Sequence, residues 1–119
     1  MRVTQHPNPM SQHVEAQPFS TDVSMGRAVT DVRVTGEIDA ATSLDLGPTL
    51  LAAGAEGRTV RLDLGATSFI DSAGIRVLVR SLLDLREAGS GLALVAASPT
   101  VENILRITGI LDVLKDPAP

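Results

Sequence analysis

Apolar residues along the chain follow two different periods, which predict strands alternating with helices. Val60, Leu62 and Leu64 alternate with Arg61 and Asp63, the pattern of a strand that buries one face. Similar alternation or a short apolar run predicts three more strands, at Phe19–Val23, Ala28–Thr35 and Leu92–Ala96. Because a turn signal separates the first two, we expect them to form a hairpin.

Spacings of three and four residues predict the helices. Ile75, Leu78, Leu82 and Leu85 indicate a long helix that begins at Asp71 or Ser72 and runs to about residue 88. A second helical segment covers residues 42–55, in which Leu44, Leu50 and Leu51 could face the core. Its Gly47-Pro48 pair predicts an interruption, so this helix either starts at Pro48 or has two pieces.

The rest of the chain is assigned from local signals. Residues 65–70 are predicted to be a connecting loop. Ser98 and Pro99 indicate the start of a last helix that ends at Gly109, and residues 110–114 form either a short helical turn or an edge strand. The order β-β-α-β-α-β-α predicts an α/β fold: a mixed, mostly parallel sheet of four to five strands packed with amphipathic helices.

Domain organisation follows from length and polarity. The 119 residues are enough for one domain, which we place at residues 19–116. Residues 1–18 are polar and rich in proline, which predicts a disordered leader. Its two histidines, His6 and His13, have no acidic or cysteine neighbours, so a metal site there is disfavoured.

Composition excludes several functions. The chain has no cysteine, a net charge of −4 and scattered arginines, which leaves no thiolate chemistry and no basic stripe for nucleic acid. No apolar run has the length of a signal peptide or a membrane span. We therefore expect a cytoplasmic protein without a cofactor, a metal or a membrane partner.

Candidate chemistry gathers where two strands end. The carboxyl ends of neighbouring strands in an α/β sheet meet at one edge. Six hydroxyl and carboxylate side chains follow the second and third strands: Glu37, Asp39, Thr67, Ser68, Asp71 and Ser72. Because no histidine or lysine accompanies them, serine hydrolysis is disfavoured.

Ser72 is the strongest candidate among these hydroxyl groups. A helix N-terminus tolerates negative charge, so Ser72 could accept a phosphoryl group from a separate kinase. Gly74 would let another backbone approach closely. A purely structural reading remains open, in which Asp71 and Ser72 only cap the helix. The two roles are compatible, since Asp71 can cap while Ser72 stays free.

Four motifs in order resemble the anti-sigma factor antagonists of the STAS domain family. They are VTGEIDAAT at residues 34–42, VRLDLGATSFIDSAGI at 60–75, LALV at 92–95, and the helix from Ser98-Pro99 to LRITGI at 105–110. The resemblance covers about residues 19–115. Two departures are Ala73, where many members have a second serine, and Gly47-Pro48 within the usual first helix.

The resemblance implies a partner switch rather than an enzyme. It implies that the chain binds an anti-sigma factor that is also a serine kinase, is released by phosphorylation at Ser72, and is reset by a serine phosphatase. The partner surface is expected at Asp71, Ala73, Gly74, Arg76, Glu37, Asp39 and Thr42. Arg76 either contacts the partner or lies on a solvated helix face. We expect a monomer or weak dimer.

Three alternatives compete with this interpretation. One is a STAS module that works without phosphorylation, as a scaffold or transporter accessory. An aspartyl-phosphate receiver domain has the right size, but the first strand lacks the acidic pair and Lys115 lies in the tail. A nucleotide-hydrolysing enzyme lacks support, since the chain has no Walker-type glycine-rich loop.

Overall fold

Four strands and four α-helices, with a short 3₁₀ helix at Ala55–Gly57, make up the fold that the computed structural model describes for residues 17–115. In chain order they are β1 (Ser20–Met25), β2 (Val29–Ile38), α1 (Ala40–Ala53), β3 (Thr59–Ile70), α2 (Ser72–Glu87), β4 (Gly91–Ala97), α3 (Pro99–Ile107) and α4 (Leu111–Lys115). The expected leader, including His6 and His13, lies outside the described residues except for positions 17 and 18.

The strands form one mixed sheet in the order β1-β2-β3-β4. β1 pairs antiparallel with β2 as the predicted hairpin, and β2, β3 and β4 run parallel. This confirms the predicted α/β fold with four strands. The parallel arrangement places the carboxyl ends of three strands at a single edge of the sheet.

One face of β2 is largely apolar and buried and the other is largely polar and exposed, as the alternating pattern predicts. Val32, Val34 and Ile38 of β2 are fully buried, whereas Asp31 and Arg33, on either side of Val32, are exposed. The buried face joins the helices in one aliphatic core, because aromatic side chains are nearly absent from the chain. Its buried members are Val32, Val34, Ile38, Leu46, Leu50, Ala53, Val60, Leu62, Leu64, Ile70, Leu78, Leu82, Leu85, Leu92, Leu94, Val101, Leu105, Leu111 and Leu114.

The predicted loop at residues 65–70 is wrong, since these residues continue β3. Between Arg33 and Thr35 of β2, the partner in β3 moves from Asp63 to Ala66, so β3 holds one extra residue there. A second extra residue follows between the partners of Gly36 and Glu37. Each bulge shifts the side-chain alternation, which hides the strand in the sequence pattern.

The predicted interruption of the first helix is also wrong. α1 runs without a break through Pro48, which is exposed. Proline removes the hydrogen bond to the carbonyl four residues earlier, and on this exposed side water can satisfy that carbonyl. A side chain at Gly47 would lie 3.2 Å from Cγ2 of Val77, so this glycine serves the close packing of α1 on α2.

The core positions of α1 differ from those expected. Leu50 is buried as predicted, but Leu46 and Ala53 join it in place of Leu44 and Leu51. Leu44 is 76% exposed and Leu51 is 43% exposed. Both therefore belong to the molecular surface.

The other helices agree with the sequence pattern. α2 buries Leu78, Leu82 and Leu85 and ends before Gly89, whose φ of 84° is left-handed and favours glycine. Residues 111–115 are helical, which decides between the two forms left open for this segment. Among the described residues, no helix is both long and apolar enough to cross a membrane.

Candidate functional site

The ends of β2 and β3 bring the first turns of α1 and α2 side by side. Ile38 and Ile70 are partners at the end of the β2–β3 ladder. The next residue, Asp71, donates its backbone N–H to the Ile38 carbonyl over 3.1 Å. We call residues 37–42 and 69–76 the carboxyl edge. This edge contains most of the candidate site residues that were predicted from the sequence.

Ser72 is the first residue of α2, and its side chain is exposed. Within residues 17–115, its hydroxyl group makes no hydrogen bond. The cap of α2 is supplied by Asp71, whose Oδ1 accepts from the Gly74 N–H over 3.0 Å. Asp71 thus caps the helix while the Ser72 hydroxyl remains available to a reaction partner.

Gly74 lies where the start of α2 presses on the end of β2. A Cβ atom at this position would lie 2.7 Å from the Ile38 carbonyl oxygen and 2.6 Å from Cγ1 of Ile70. Those distances are too short for any side chain. Glycine therefore permits the close backbone approach expected from the sequence and holds the first turn of α2, with Ser72, against the sheet.

Asp39 and Thr42 form a reciprocal cap at the start of α1. Asp39 Oδ1 accepts from the Thr42 N–H over 2.9 Å, while Thr42 Oγ1 accepts from the Asp39 N–H over 2.8 Å. The Thr42 hydroxyl also donates to the Glu37 carbonyl over 2.9 Å. The backbone N–H and then the side chain of Thr42 lower the pKa of Asp39, because they stabilise its ionised form. Asp39 is therefore a carboxylate at neutral pH.

The remaining hydroxyl groups divide by burial. Thr67 is buried within β3, where its hydroxyl donates to the Val34 carbonyl over 2.8 Å, so it is not accessible to a kinase. Ser68 is exposed and lies 3.4 Å from the Gly36 carbonyl. Only Ser68 and Ser72 therefore present exposed hydroxyl groups among the three candidates.

Charged side chains occur in both stretches of the carboxyl edge. Glu37 is exposed, Asp39 and Asp71 are partly buried, and Arg76 is exposed one turn further along α2. Ala73 is partly buried beside Ser72. No histidine lies in residues 17–115, and Lys115 is in α4. Among the described residues, the carboxyl edge thus combines exposed hydroxyl groups with carboxylates and contains no histidine or lysine.

Apolar side chains near this edge were missed by the sequence reasoning. Ala41, Leu44, Pro48 and Leu51 share the exposed side of α1, and we call them the α1 apolar stripe. Their 3-4-3 spacing is visible in the sequence, next to a second set at Leu46, Leu50 and Ala53. Two apolar sets on one helix signal that only one can enter the core. Phe69, two residues before Asp71, is 44% exposed as well.

Comparison with protein families identifies one match. The STAS domain family matches residues 22–117, which include the whole sheet except the first two residues of β1. The carboxyl edge lies entirely inside the matched region. In the part of the chain that the structure describes, the match covers all four helices.

Individual proteins are similar in sequence and in fold. The anti-sigma-B factor antagonist of Listeria monocytogenes is 35% identical over 86 residues, covering 71% of this chain and 75% of the relative. An anti-sigma factor antagonist from Mycobacterium paratuberculosis is similar in structure, with 28% identity, a TM-score of 0.71 and coverage of 82% and 83% of the two chains. The Bacillus cell fate determinant SpoIIAA in its phosphorylated form has a TM-score of 0.62 at 21% identity, over 84% of this chain and 92% of that one.

Proposed function

Because this chain belongs to the STAS domain family, we propose that it is an anti-sigma factor antagonist, switched by phosphorylation of Ser72. It binds an anti-sigma factor that has serine kinase activity, and a serine phosphatase reverses the modification. Both partners act in the cytoplasm, and the chain itself catalyses no reaction. The observation that carries the proposal is the exposed hydroxyl of Ser72, which makes no hydrogen bond to residues 17–115, beside a separate capping residue, Asp71.

The similar proteins support this choice of function. Two of them are named anti-sigma factor antagonists, one of which is more than 30% identical. SpoIIAA, which shares the fold, was solved in a phosphorylated form, so a protein of this fold tolerates a phosphoryl group. The exposure of Ser72 gives this chain a place for the same modification.

The transfer needs only an accessible hydroxyl group from this chain. The Ser72 oxygen bonds to the γ-phosphorus of ATP, the bond from that phosphorus to the bridging oxygen of ADP breaks, and the hydroxyl proton is released. The product carries about −1.5 to −2 charge at neutral pH. Since the Ser72 hydroxyl makes no hydrogen bond within the described residues, adding the group breaks no side-chain hydrogen bond among them.

Docking, in contrast, is sensitive to the added charge. A partner that covers Ser72 would have to remove water from a dianion at an edge that also carries the carboxyl groups of Asp71, Asp39 and Glu37. A binding loss of about 2.8 kcal/mol already corresponds to a hundredfold lower affinity. Phosphorylation can therefore release the partner without a change of fold.

The surface available to the anti-sigma factor combines charge with apolar area. The carboxyl edge supplies the exposed or partly exposed members of the predicted set: Glu37, Asp39, Thr42, Asp71, Ala73 and Arg76. The α1 apolar stripe begins at the same edge and adds Leu44, which is 76% exposed. Gly74 is buried, so we assign it to positioning Ser72 rather than to direct contact.

Phosphate labelling with site mapping tests the proposal. The full chain is incubated with ATP and candidate anti-sigma factor kinases, and labelling and affinity are measured for the wild type, Ser72→Ala, Ser72→Asp and Ser68→Ala. Ser72→Ala should abolish labelling but keep binding within about twofold, whereas Ser72→Asp should weaken binding about a hundredfold. Ser68→Ala is the matched control, an exposed serine at the same edge of the sheet, and should behave as the wild type.

Two results would count against the switch. Phosphate mapped to Ser68 or Thr67 would contradict the assigned acceptor. Equal affinity of the phosphorylated and unmodified chains for the same partner would favour a phosphorylation-independent STAS module instead.

A further inference from the structure

Arg76 lies on the same exposed side of α2 as Ser72, four residues further along. Residues four apart on a helix are neighbours on its surface, about one turn from each other. Both side chains are exposed. No carboxylate of residues 17–115 lies within ion-pair distance of Arg76, in contrast to Arg58, Arg61 and Arg106, which each contact one.

We propose that Arg76 binds the phosphoryl group on Ser72 of its own chain. The inference rests on the proposed function only in that Ser72 carries the phosphate. Arginine suits this role because its planar guanidinium group can donate two parallel hydrogen bonds to phosphate oxygens. The order of the charges, with the anion N-terminal to the cation by four residues, is the favourable one on a helix.

Arg80 cannot take this role, although it resembles Arg76. It is also exposed and lies on α2, but it is eight residues from Ser72, about 12 Å along the helix axis. The carboxylates around Ser72 cannot take it either, because Asp71, Asp39 and Glu37 repel a phosphate. Arg76 is therefore the one cation of the carboxyl edge that can pair with phosphorylated Ser72.

The consequence is a second change at the partner surface when Ser72 is phosphorylated. In the unmodified chain, Arg76 is available to a carboxylate of the docking protein. After phosphorylation, the chain's own phosphate competes for the same guanidinium group. The partner thus meets a new negative charge and loses a positive one.

The pKa of the second ionisation of the phosphate depends directly on this contact. The full chain is produced with phosphoserine incorporated at position 72 during translation, so that no kinase is needed, and its phosphorus NMR signal is followed through a pH titration. The wild type is compared with Arg76→Ala, Arg76→Lys and the control Arg80→Ala. Replacing Arg76 with alanine should raise the titration midpoint by about 0.3 pH unit, since an opposite charge favours the dianion.

The controls separate this contact from general charge effects. Arg80→Ala should leave the midpoint within about 0.1 pH unit of the wild type, because the added distance is screened by solvent. Arg76→Lys should fall between the wild type and Arg76→Ala. Asp71, Asp39, Glu37 and Asp45 of the neighbouring helix act equally in all variants, so they cancel from the differences.

Each outcome bears on one proposal alone. Equal midpoints for Arg76→Ala and Arg80→Ala would overturn the role of Arg76 and leave the switch at Ser72 untouched. Failure of any kinase to label Ser72 would count against the switch, but the titration of the incorporated phosphoserine would still decide whether Arg76 binds the phosphate. A difference in the NMR chemical shift of the Arg76 Nε–H proton between the unmodified and the phosphorylated wild-type chain would support the contact independently.

Discussion

The two helices that begin at the carboxyl edge start in similar ways but leave different groups exposed. Each follows a strand of the parallel pair and has an aspartate cap, Asp39 for α1 and Asp71 for α2. At α1, the third helical residue is Thr42, which returns a hydrogen bond to the cap. At α2, the third residue is Gly74, which has no side chain to do so.

The difference concerns which hydroxyl group stays exposed at each helix start. At the start of α1, the hydroxyl group of Thr42 is held by the capping hydrogen bonds, and the first residue is an alanine. At the start of α2, Asp71 alone holds the cap, and the first residue, Ser72, keeps its hydroxyl group exposed. The comparison suggests that a cap that needs few side chains is what leaves a serine available for modification.

Among the substitutions that test this comparison, Gly74→Ala should have the largest effect on stability. Gly74→Ala places a Cβ atom 2.7 Å from a backbone oxygen that cannot move aside, so we expect a loss of about 2–3 kcal/mol in the free energy of unfolding. Urea unfolding measures it. Gly91→Ala is the control, because a Cβ there meets no atom within 4 Å, and its effect should stay within about 0.5 kcal/mol. Equal effects of the two variants would refute the close approach of α2 to β2.

Substitution of Leu44 should show how much α1 contributes to partner binding, apart from α2. Leu44→Asp should weaken binding of the unphosphorylated chain to the proposed anti-sigma factor partner at least about tenfold, since it puts a charge into the α1 apolar stripe. Ile107→Asp in α3 is the matched control, because Ile107 is 75% exposed against 76% for Leu44. Titration calorimetry measures both. If Ile107→Asp lowered the affinity as much as Leu44→Asp, the stripe would have no special role in docking.

The smallest expected effect concerns the reciprocal cap of α1. Thr42→Ala removes the side-chain hydrogen bond that helps to lower the pKa of Asp39, but it leaves the backbone N–H of residue 42, the largest cause, in place. The pKa should therefore rise only part of the way to its ordinary value, as measured by carbon NMR of the carboxyl group. The lost hydroxyl bonds should cost about 1 kcal/mol of stability at neutral pH.

The pH dependence of this cap has a definite sign. Because the pKa of Asp39 is lowered in the folded state, its ionised form adds stability above the ordinary pKa of an aspartate. That stability is lost as the pH falls through the folded-state pKa, below about pH 4. The gap in stability between the wild type and Thr42→Ala should thus narrow on acidification, and a constant gap would show that the charge of Asp39 does not contribute.

Much of the fold could be predicted because its elements keep a regular period. The spacing of Ile75, Leu78, Leu82 and Leu85 predicts α2 nearly to the residue. The alternation of strands and helices predicts a mostly parallel sheet, which the parallel pairing of β2, β3 and β4 confirms. The second half of β3 could not be found, since two bulges shift its alternation over residues 63–69. Irregular pairing depends on the neighbouring strand, which a local pattern does not contain.

The candidate site was predictable to a similar degree. The exposed position of Ser72 and the close approach at Gly74 follow from residue types at a helix start. The burial of Thr67 and the exposure of Leu44 do not, because they depend on which side of β3 or α1 meets the core. The mutual hydrogen bonds of Asp39 and Thr42 require the geometry of the turn itself.

Phe69 has a practical consequence for watching this protein bind. The chain contains no tryptophan or tyrosine, so it is nearly silent in protein fluorescence. The ring of Phe69 is 44% exposed and lies three residues before Ser72. In a Phe69→Trp variant, this tryptophan would be the chain's sole strong fluorophore. Its emission wavelength would report whether the surface beside Ser72 is exposed to water or covered by a partner.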